Sequence, residues 1–237
     1  MLKKVQSNAI APDKGHWSRS LRFLLPALIL LGACASVATA SQPAAAMLAQ
    51  AKRAVVIVTT YDGQGKALLQ GSGFFVASRQ VVTNLHVIDH ADHIRIETFA
   101  GQTLPVTSVV ATDANSDLAL LQLDAPPPNS GVLQIEYTAP DEGDAIVVLS
   151  NPRGSRWKTT VGRVGTIWNL AGTGKRLQIT AGLRPGSSGG PVLNQLGRVI
   201  GIAAMHIRSA DELDFAVPAE ELKRLLSQTS LTAAVVQ

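Results

Sequence analysis

Short apolar runs, each ended by turn-forming residues, are the feature that most limits what this chain can fold into. The runs are rich in Val, Ile and Thr, and long stretches with helical periodicity are rare. Such runs suit strands, because β-branched side chains pack well on a pleated, half-buried surface. Hydrophobic residues make up 46% of the 237 residues and charged residues only 16%, which excludes a disordered chain. The sequence therefore predicts an all-β fold.

The predicted strands form two series, one on each side of a proline-rich segment at 126–131. The first series consists of Val55–Tyr61, Phe74–Ala77, Val81–Thr83, Ile94–Thr98, Val106–Ala111 and Leu118–Leu123. The second consists of Ala145–Leu149, Thr159–Trp168, Arg176–Thr180, Pro191–Leu193, Arg198–Ala204 and Phe215–Val217. Proline cannot donate to a strand ladder, so we expect an N-terminal half at 41–125 and a C-terminal half at 132–237. A turn is predicted at Gly71-Ser72-Gly73.

A helix is predicted near each end of these two series. Residues 42–53 are rich in alanine and lead into the first strand. Residues 218–226 begin with proline and carry acids in the first turn, and Leu222, Leu225 and Leu226 share one face. This pattern predicts a C-terminal helix docked on the sheets.

Residues 1–40 have the pattern of a secretory signal. A basic segment precedes an apolar stretch at 21–33, and Ala38-Thr39-Ala40 has the small-x-small form of a cleavage site. Cleavage there predicts an exported protein, either periplasmic or secreted. The single cysteine, Cys34, follows Leu31-Gly32-Ala33, which is similar to a bacterial lipobox. The alternative is therefore a protein held in the bacterial envelope by a lipid anchor on Cys34.

The same leader accounts for the formal net charge of +4 at pH 7. Five of the 21 basic residues and one of the 17 acidic residues precede residue 41, which leaves 16 of each beyond it. A nearly neutral mature chain lacks the excess of positive charge that a nucleic-acid surface needs. We therefore expect no nucleic-acid partner.

A seven-residue stretch, Pro185-Gly186-Ser187-Ser188-Gly189-Gly190-Pro191, predicts a sharp turn that presents a serine; we name it the serine turn. Glycine permits positive φ and a close approach of another chain, while proline fixes φ. Such a turn is able to aim backbone N–H groups at one point, as acyl transfer requires. If Ser188 is the nucleophile, its own N–H and that of Gly186 are the expected oxyanion donors. An ordinary glycine-serine β-turn is the alternative interpretation.

A serine nucleophile also needs a general base and an acid that orients this base. His86 directly follows a predicted strand, and Asp117 immediately precedes another strongly apolar one. With Ser188 they stand in the order His, Asp, Ser, and the proline-rich segment lies between the second and the third. This order would place a site where the two halves meet. Taken alone, each residue also fits an ordinary structural role.

The histidines offer a competing interpretation as a metal site. His86 and His90 have H-x-x-x-H spacing, which places two ligands one helical turn apart, and His93, Asp89 and Asp92 lie nearby. However, the stretch lacks the glutamate of the H-E-x-x-H pattern, and a metal would leave the serine turn unexplained. We therefore expect neither a metal nor an organic cofactor.

Four motifs together resemble the signatures of trypsin-like serine proteases. They are Thr83-Asn84-Leu85-His86-Val87, Ser116-Asp117-Leu118-Ala119-Leu120-Leu121, Ser150-Asn151-Pro152 and the serine turn. The subgroup that the chain is most similar to is the bacterial high-temperature-requirement (HtrA/Deg) family, which further matches support at Gly71-Ser72-Gly73-Phe74, Gly201-Ile202 and Phe215-Ala216-Val217-Pro218. The resemblance extends over roughly residues 51–226.

This resemblance implies two six-stranded β-barrels of the chymotrypsin type, with the active site in the cleft between them. It implies His86 as the general base, Asp117 as the orienting acid and Ser188 as the nucleophile. The oxyanion hole would consist of the N–H groups of Gly186 and Ser188.

Two departures from the family pattern bear on activity and regulation. Ser187 stands where the family usually has Asp or Asn, which bears on the geometry of the oxyanion loop and makes a second serine a candidate nucleophile. The chain also ends about 20 residues after Val217, so we expect a protease domain without the PDZ domain that is usual in the Deg family.

The primary substrate pocket is predicted from position. Gly182, six residues before Ser188, would form its base and carries no acid, which disfavours cleavage after Lys or Arg. Met205 and His206 would lie in its wall. We therefore expect a small or medium apolar side chain before the cleaved bond.

The sequence thus predicts an exported serine endopeptidase acting on proteins or peptides through an acyl-enzyme. The alternative is a catalytically silent, protease-like binding protein of the cell envelope, because fold does not imply activity. Trimers are common among Deg relatives, and residues 41–53 would be available to support a homo-oligomer.

Overall fold

The computed structural model describes residues 41–153, 155–170, 174–207 and 213–235. Side chains at 41–43, 170, 205–207 and 228–235 lie outside this description, as does the expected secretory segment with Cys34. Among the helices it describes, none has the length and apolar character needed to cross a membrane.

Thirteen strands and three helices make up the described part of the chain. In order they are α1 Ser41–Lys52, β1 Val55–Tyr61, β2 Ala67–Ala77, β3 Gln80–Asn84, α2 Leu85–Ile88, β4 His93–Thr98, β5 Thr103–Pro105, β6 Ser108–Asp113, β7 Leu118–Gln122, β8 Ala145–Ser150, β9 Lys158–Leu170, β10 Gly174–Ile179, β11 Pro191–Leu193, β12 Val199–Ile207, β13 Leu213–Pro218 and α3 Ala219–Val235. The all-β prediction is confirmed.

Strands β1–β7 form one antiparallel sheet, which we name the N-terminal sheet. Its strand order is β5-β4-β1-β2-β3-β7-β6, and it curls into a half-barrel. Strand β3 pairs with β7 so that Asn84 lies opposite Leu118. The end of one strand and the start of the other therefore lie side by side at one rim of the sheet.

Strands β8–β13 form a closed barrel, which we name the C-terminal barrel. Its order is β10-β13-β12-β11-β8-β9, and the β9–β10 pair closes the ring. Closure leaves no unpaired strand edge, which protects an all-β half from edge-to-edge association. The expected chymotrypsin-like architecture is confirmed, with a curled seven-stranded sheet in the place of the first barrel.

One hydrophobic cluster belongs to both halves. It includes Phe74, Val82, Leu118 and Leu120 from the N-terminal sheet and Leu149, Leu193, Val199, Ile202 and Val217 from the C-terminal barrel. Helix α3 adds Leu222 and Leu225, both fully buried, so the predicted docking face of this helix is confirmed. Burial of shared apolar surface ties the two halves together.

The turn predicted at Gly71-Ser72-Gly73 is wrong, because these residues continue β2. Their glycines serve close packing instead. A Cβ added at Gly71 would lie 2.7 Å from the Val87 side chain, and one at Gly73 would lie 2.9 Å from Val81. Glycine in a strand often marks such a close approach rather than a chain reversal.

Candidate active site

His86 and Asp117 are brought together by the pairing of β3 with β7. His86 lies in α2, two residues after β3 ends, and Asp117 directly precedes β7. The His86 Nδ1 and Asp117 Oδ2 atoms are 2.7 Å apart, and Asp117 Oδ1 accepts the His86 backbone N–H at 2.9 Å. Two contacts to one carboxylate fix both the position and the orientation of the imidazole ring.

The backbone at Asp117 is itself held in an uncommon conformation. Its φ is 59°, in the left-handed region that few residues other than glycine, Asn and Asp adopt. The Asp117 carbonyl accepts the Leu85 N–H at 3.1 Å and the Asn84 side-chain amide at 2.9 Å. These bonds compensate the strained turn and leave the carboxylate aimed at His86.

The contact with Asp117 favours one tautomer of the His86 ring. A carboxylate at Nδ1 favours the tautomer of the neutral ring that carries its proton there, and in that tautomer Nε2 is an acceptor. The His86 side chain is 49% exposed, whereas that of Asp117 is 26% exposed. The imidazole is therefore open to solvent, while the carboxylate beside it is more covered.

Two glycines of the serine turn have the conformations that the sequence led us to expect. Gly186 has a φ of 97° and Gly189 a φ of 86°. A Cβ at Gly186 would lie 2.8 Å from the Asn151 carbonyl oxygen, and one at Gly189 would overlap the Ser72 carbonyl. Neither position can accept a side chain without a shift of backbone.

The peptide groups of the serine turn are oriented by bonds to their carbonyls. The Pro185 carbonyl accepts the Arg153 N–H at 3.0 Å, and the Ser187 carbonyl accepts the Gly190 N–H at 3.0 Å. In a trans peptide the N–H points away from the carbonyl, so the N–H groups of Gly186 and Ser188 point to the opposite side. Among the described residues no acceptor bonds to either N–H.

The two adjacent serines have different surroundings. Ser187 is buried, and its Oγ accepts the Arg184 N–H at 3.2 Å and the Ser150 hydroxyl at 3.3 Å. Ser188 is partly exposed, and its hydroxyl donates to the Ala204 carbonyl at 3.1 Å. Ser187 thus braces the turn from within, whereas Ser188 reaches the surface.

Strand β2 connects the His86 segment with the serine turn. Gly71 of β2 lies close to both segments. A Cβ added there would meet the side chain of Val87, the neighbour of His86, and would lie 3.1 Å from the Ser188 carbonyl oxygen. The Thr83 hydroxyl donates to the Ser72 carbonyl at 2.7 Å, and the Ser72 N–H donates to the Ser188 carbonyl at 2.7 Å. The histidine segment and the serine turn therefore pack against the same stretch of β2.

Of the three predicted pocket residues, the structure describes Gly182 fully but only the backbone of Met205 and His206. Gly182 is exposed, with a φ of 60°, and a Cβ added there would meet nothing within 4 Å. Met205 and His206 lie on β12 and pair with Phe215 and Asp214 of β13, but their side chains lie outside the described residues. Their role in a pocket stays a prediction.

Several buried residues beside the site had no predicted role. Ser72 and Asn151 are fully buried, and the Asn151 N–H donates to the Ser72 hydroxyl oxygen. Both belong to motifs that carried the family resemblance, but neither was assigned a contact. Arg176 of β10 is 3% exposed and donates to the Asn115 carbonyl at 3.4 Å. Burial lowers the pKa of the Arg176 guanidinium, and the carboxylates of Asp117 and Asp113 oppose that shift. The sequence gives no signal of this burial, because Arg176 alternates along the strand with Gln178 and Thr180, which are polar as well.

The alternative metal site receives no geometric support in the described part of the chain, where no three His, Cys, Asp or Glu side chains gather as ligands would. His90 Nε2 lies 3.2 Å from Oδ2 of its neighbour Asp89, and both side chains are largely exposed. His86 is instead engaged by Asp117.

Comparison with known proteins agrees with this geometry. The profile of the trypsin-like peptidase domain matches residues 71–202. The periplasmic serine endoprotease DegP of Salmonella typhimurium is 32% identical over 175 residues, which are 70% of this chain and 36% of that protein. The anti-sigma-I factor RsgI9 of Acetivibrio thermocellus is 30% identical over 169 residues, 70% of this chain and 23% of that protein.

The fold comparison gives the same result. The crystal structure of the serine endoprotease from Yersinia pestis superimposes with a TM-score of 0.69 and 26% identity, over 78% of this chain and 66% of that one. The chain spans well under half the length of the two curated relatives named above. The profile match alone covers more than half of the chain, and the predicted resemblance is confirmed. This chain belongs to the family of trypsin-like peptidase domains.

Proposed function

We propose that this chain is a serine endopeptidase that cleaves peptide bonds of protein substrates, with His86, Asp117 and Ser188 as its catalytic residues. The observation that carries the proposal is the double contact of the Asp117 carboxylate with His86. Such a contact fixes one tautomer of the base, as a serine hydrolase needs. The name of the Salmonella relative, a serine endoprotease, supports the same activity.

In the proposed reaction the Ser188 Oγ attacks the substrate carbonyl carbon. Its hydrogen bond to the Ala204 carbonyl must first give way to one with His86 Nε2. As the O–C bond forms, His86 Nε2 takes the hydroxyl proton and the carbonyl oxygen becomes an oxyanion. The N–H groups of Gly186 and Ser188 stabilise this charge.

His86 then gives its proton to the leaving amine as the C–N bond breaks, and an acyl-enzyme remains on Ser188. A water molecule attacks the acyl carbon with His86 again as base. The bond between Ser188 Oγ and the acyl carbon then breaks, the new carboxyl terminus leaves, and His86 returns the proton to Ser188 Oγ. Throughout, Asp117 stabilises the transient imidazolium and does not itself take the proton.

We also propose that the protein acts after export, in the periplasm or outside the cell. The leader pattern at 1–40 supports export, and the Salmonella relative is named a periplasmic enzyme. The mass of the mature N-terminus tests the route. A chain that begins at Ser41 supports cleavage after Ala40. A chain that begins at a lipidated Cys34 would instead show that the protein is anchored in the membrane by lipid.

Digestion of unfolded casein by the purified protein tests the activity itself. We expect the wild type to cleave casein. Ser187→Ala should cleave it more slowly but still measurably, because Ser187 supports the turn and is not the nucleophile. Ser188→Ala should lose at least about 10⁴-fold in rate, since the nucleophile is gone. A folded wild type that leaves casein intact would contradict the proposal and favour the alternative, a protease-like binding protein.

A further inference from the structure

We infer that the Ser72 hydroxyl is a positioning group for the oxyanion hole, supplied to the serine turn by the N-terminal sheet. The inference rests on the proposed function and assigns a role in it to a residue that is neither nucleophile, base nor acid. Ser72 lies in the middle of β2 and is fully buried. Because it is buried, it acts on the site through the backbone of the serine turn.

Four buried hydrogen bonds converge on this one residue. Its Oγ donates to the Gly186 carbonyl at 2.8 Å and accepts the Asn151 N–H at 2.8 Å. Its backbone N–H donates to the Ser188 carbonyl, and its carbonyl accepts the Thr83 hydroxyl, both at 2.7 Å. Ser72 therefore connects β2 to the serine turn and to the segment that follows β8.

The Gly186 carbonyl is the critical contact. It belongs to the peptide between Gly186 and Ser187, which stands between the two N–H donors of the proposed oxyanion hole. Glycine at 186 has a φ of 97° and enough freedom to let the adjoining peptides rotate. A hydroxyl that holds this carbonyl reduces that freedom, so both N–H groups stay aimed at the same point. Preorganised donors of this kind cost no reorganisation during the reaction.

The Ser72 hydroxyl also links the turn to the other segment that orients it. Asn151, whose N–H bonds to Ser72 Oγ, is two residues from Arg153, whose N–H holds the Pro185 carbonyl. The Asn151 side chain donates to the Val56 carbonyl at 3.1 Å and accepts the Trp157 N–H at 2.8 Å. Removal of one oxygen atom would thus loosen the turn and the loop beside it together.

A purely structural role would predict only a loss of stability, and Thr60 provides the matched control for it. Thr60 is also fully buried in the N-terminal sheet, on the neighbouring strand β1. Its hydroxyl accepts the Leu69 N–H at 3.0 Å and donates to the Leu69 carbonyl at 3.3 Å. The two hydroxyls make the same kinds of bond, but that of Thr60 reaches only β2 and not the serine turn.

The test compares Ser72→Ala with Thr60→Val in kcat, KM and the affinity of a peptide aldehyde, which forms a tetrahedral adduct with an active serine. We expect Ser72→Ala to lower kcat by about 10- to 100-fold with little change in KM, somewhat less than removal of an oxyanion donor itself. The aldehyde should lose affinity by a similar factor. Thr60→Val should lower the melting temperature comparably and leave kcat and aldehyde affinity near those of the wild type.

Two outcomes in an active protein would overturn the inference. One is a Ser72→Ala variant with wild-type kcat and aldehyde affinity, and the other is an equal loss of kcat in Thr60→Val. Should Ser72→Ala fail to fold, Ser72→Cys replaces it, because a thiol is a weaker donor and should give a smaller loss in the same direction. A folded wild type that neither cleaves nor binds the aldehyde would instead contradict the proposed function, and this inference with it.

Discussion

At the scale of single residues, the Asp117 carboxylate does the most to define the site. Its two oxygens contact the backbone N–H and the ring of His86. The backbone carbonyl of Asp117 accepts two further hydrogen bonds, from the Asn84 side chain and the Leu85 N–H. Geometry of this kind leaves the imidazole one orientation and one tautomer. The catalytic consequence of Asp117 should therefore exceed its consequence for stability.

Asp117→Asn tests that distinction. The Oδ1 of asparagine still accepts the His86 N–H, but its amide group faces Nδ1 with donors and favours the wrong tautomer. We expect kcat to fall by about 10⁴-fold while KM and the melting temperature change little. Steady-state kinetics on a peptide substrate, with thermal unfolding beside them, measures both. A kcat within tenfold of the wild type would show that Asp117 does not orient the base.

At the scale of elements, the connection between β6 and β7 presents Asp117. Asp113 ends β6, and its Oδ1 accepts the N–H groups of Asn115 at 2.9 Å and Ser116 at 3.2 Å. Burial raises the pKa of the Asp113 carboxyl, but hydrogen bonds from Ser116 and Asn115 outweigh this and hold the pKa below its ordinary value of 3.8. The ionised side chain therefore shapes the turn before Asp117.

Asp113→Asn should alter the response of the fold to acid. A carboxyl whose folded pKa is depressed contributes stability that is present above the unfolded pKa of 3.8 and is lost as pH falls through the lower folded value. The variant should therefore lose less stability than the wild type below about pH 4. Urea unfolding across this range measures the difference. Asp124→Asn, at an exposed position after β7, is the matched control, and equal acid slopes in wild type and Asp113→Asn would contradict the assignment.

Local patterns predicted most of the elements and missed the contacts that join them. The first strand, β1, has its predicted bounds, and His86 and Asp117 lie beside strands as expected, because β-branched runs and turn residues act over a few positions. Ser72 bonds to Gly186 and Asn151, which are 114 and 79 residues away in sequence. The residues next to Ser72 in the sequence do not indicate which distant residues it will contact. The same long-range packing explains why glycines at 71 and 73 resembled a turn.

At the scale of the whole molecule, the two β halves share one hydrophobic cluster and several buried polar bonds. Leu118 and Leu120 pack with Leu149 and Val217 in that cluster, and helix α3 covers both halves. The described residues form a single compact unit. Because the serine turn is braced by the N-terminal sheet, a local opening between the halves would disturb the site at once.

Unfolding of the mature protein should consequently be one cooperative transition. Each half also has a buried cluster of its own, but both would lose the shared cluster on separation. We therefore expect near- and far-ultraviolet circular dichroism to change together and the calorimetric enthalpy to equal the van't Hoff enthalpy. Two resolved transitions would show that the N-terminal sheet and the C-terminal barrel fold independently.

The most direct measurement of the central claim is the site of attachment of a fluorophosphonate, identified by mass spectrometry of the labelled protein. We predict one adduct per chain on Ser188, retained in Ser187→Ala and in Thr60→Val and absent from Ser188→Ala. His86→Ala should label far more slowly, because the hydroxyl then lacks its base. An adduct on Ser187, or a folded wild type that takes up no label, would contradict the assignment of Ser188 as an activated nucleophile.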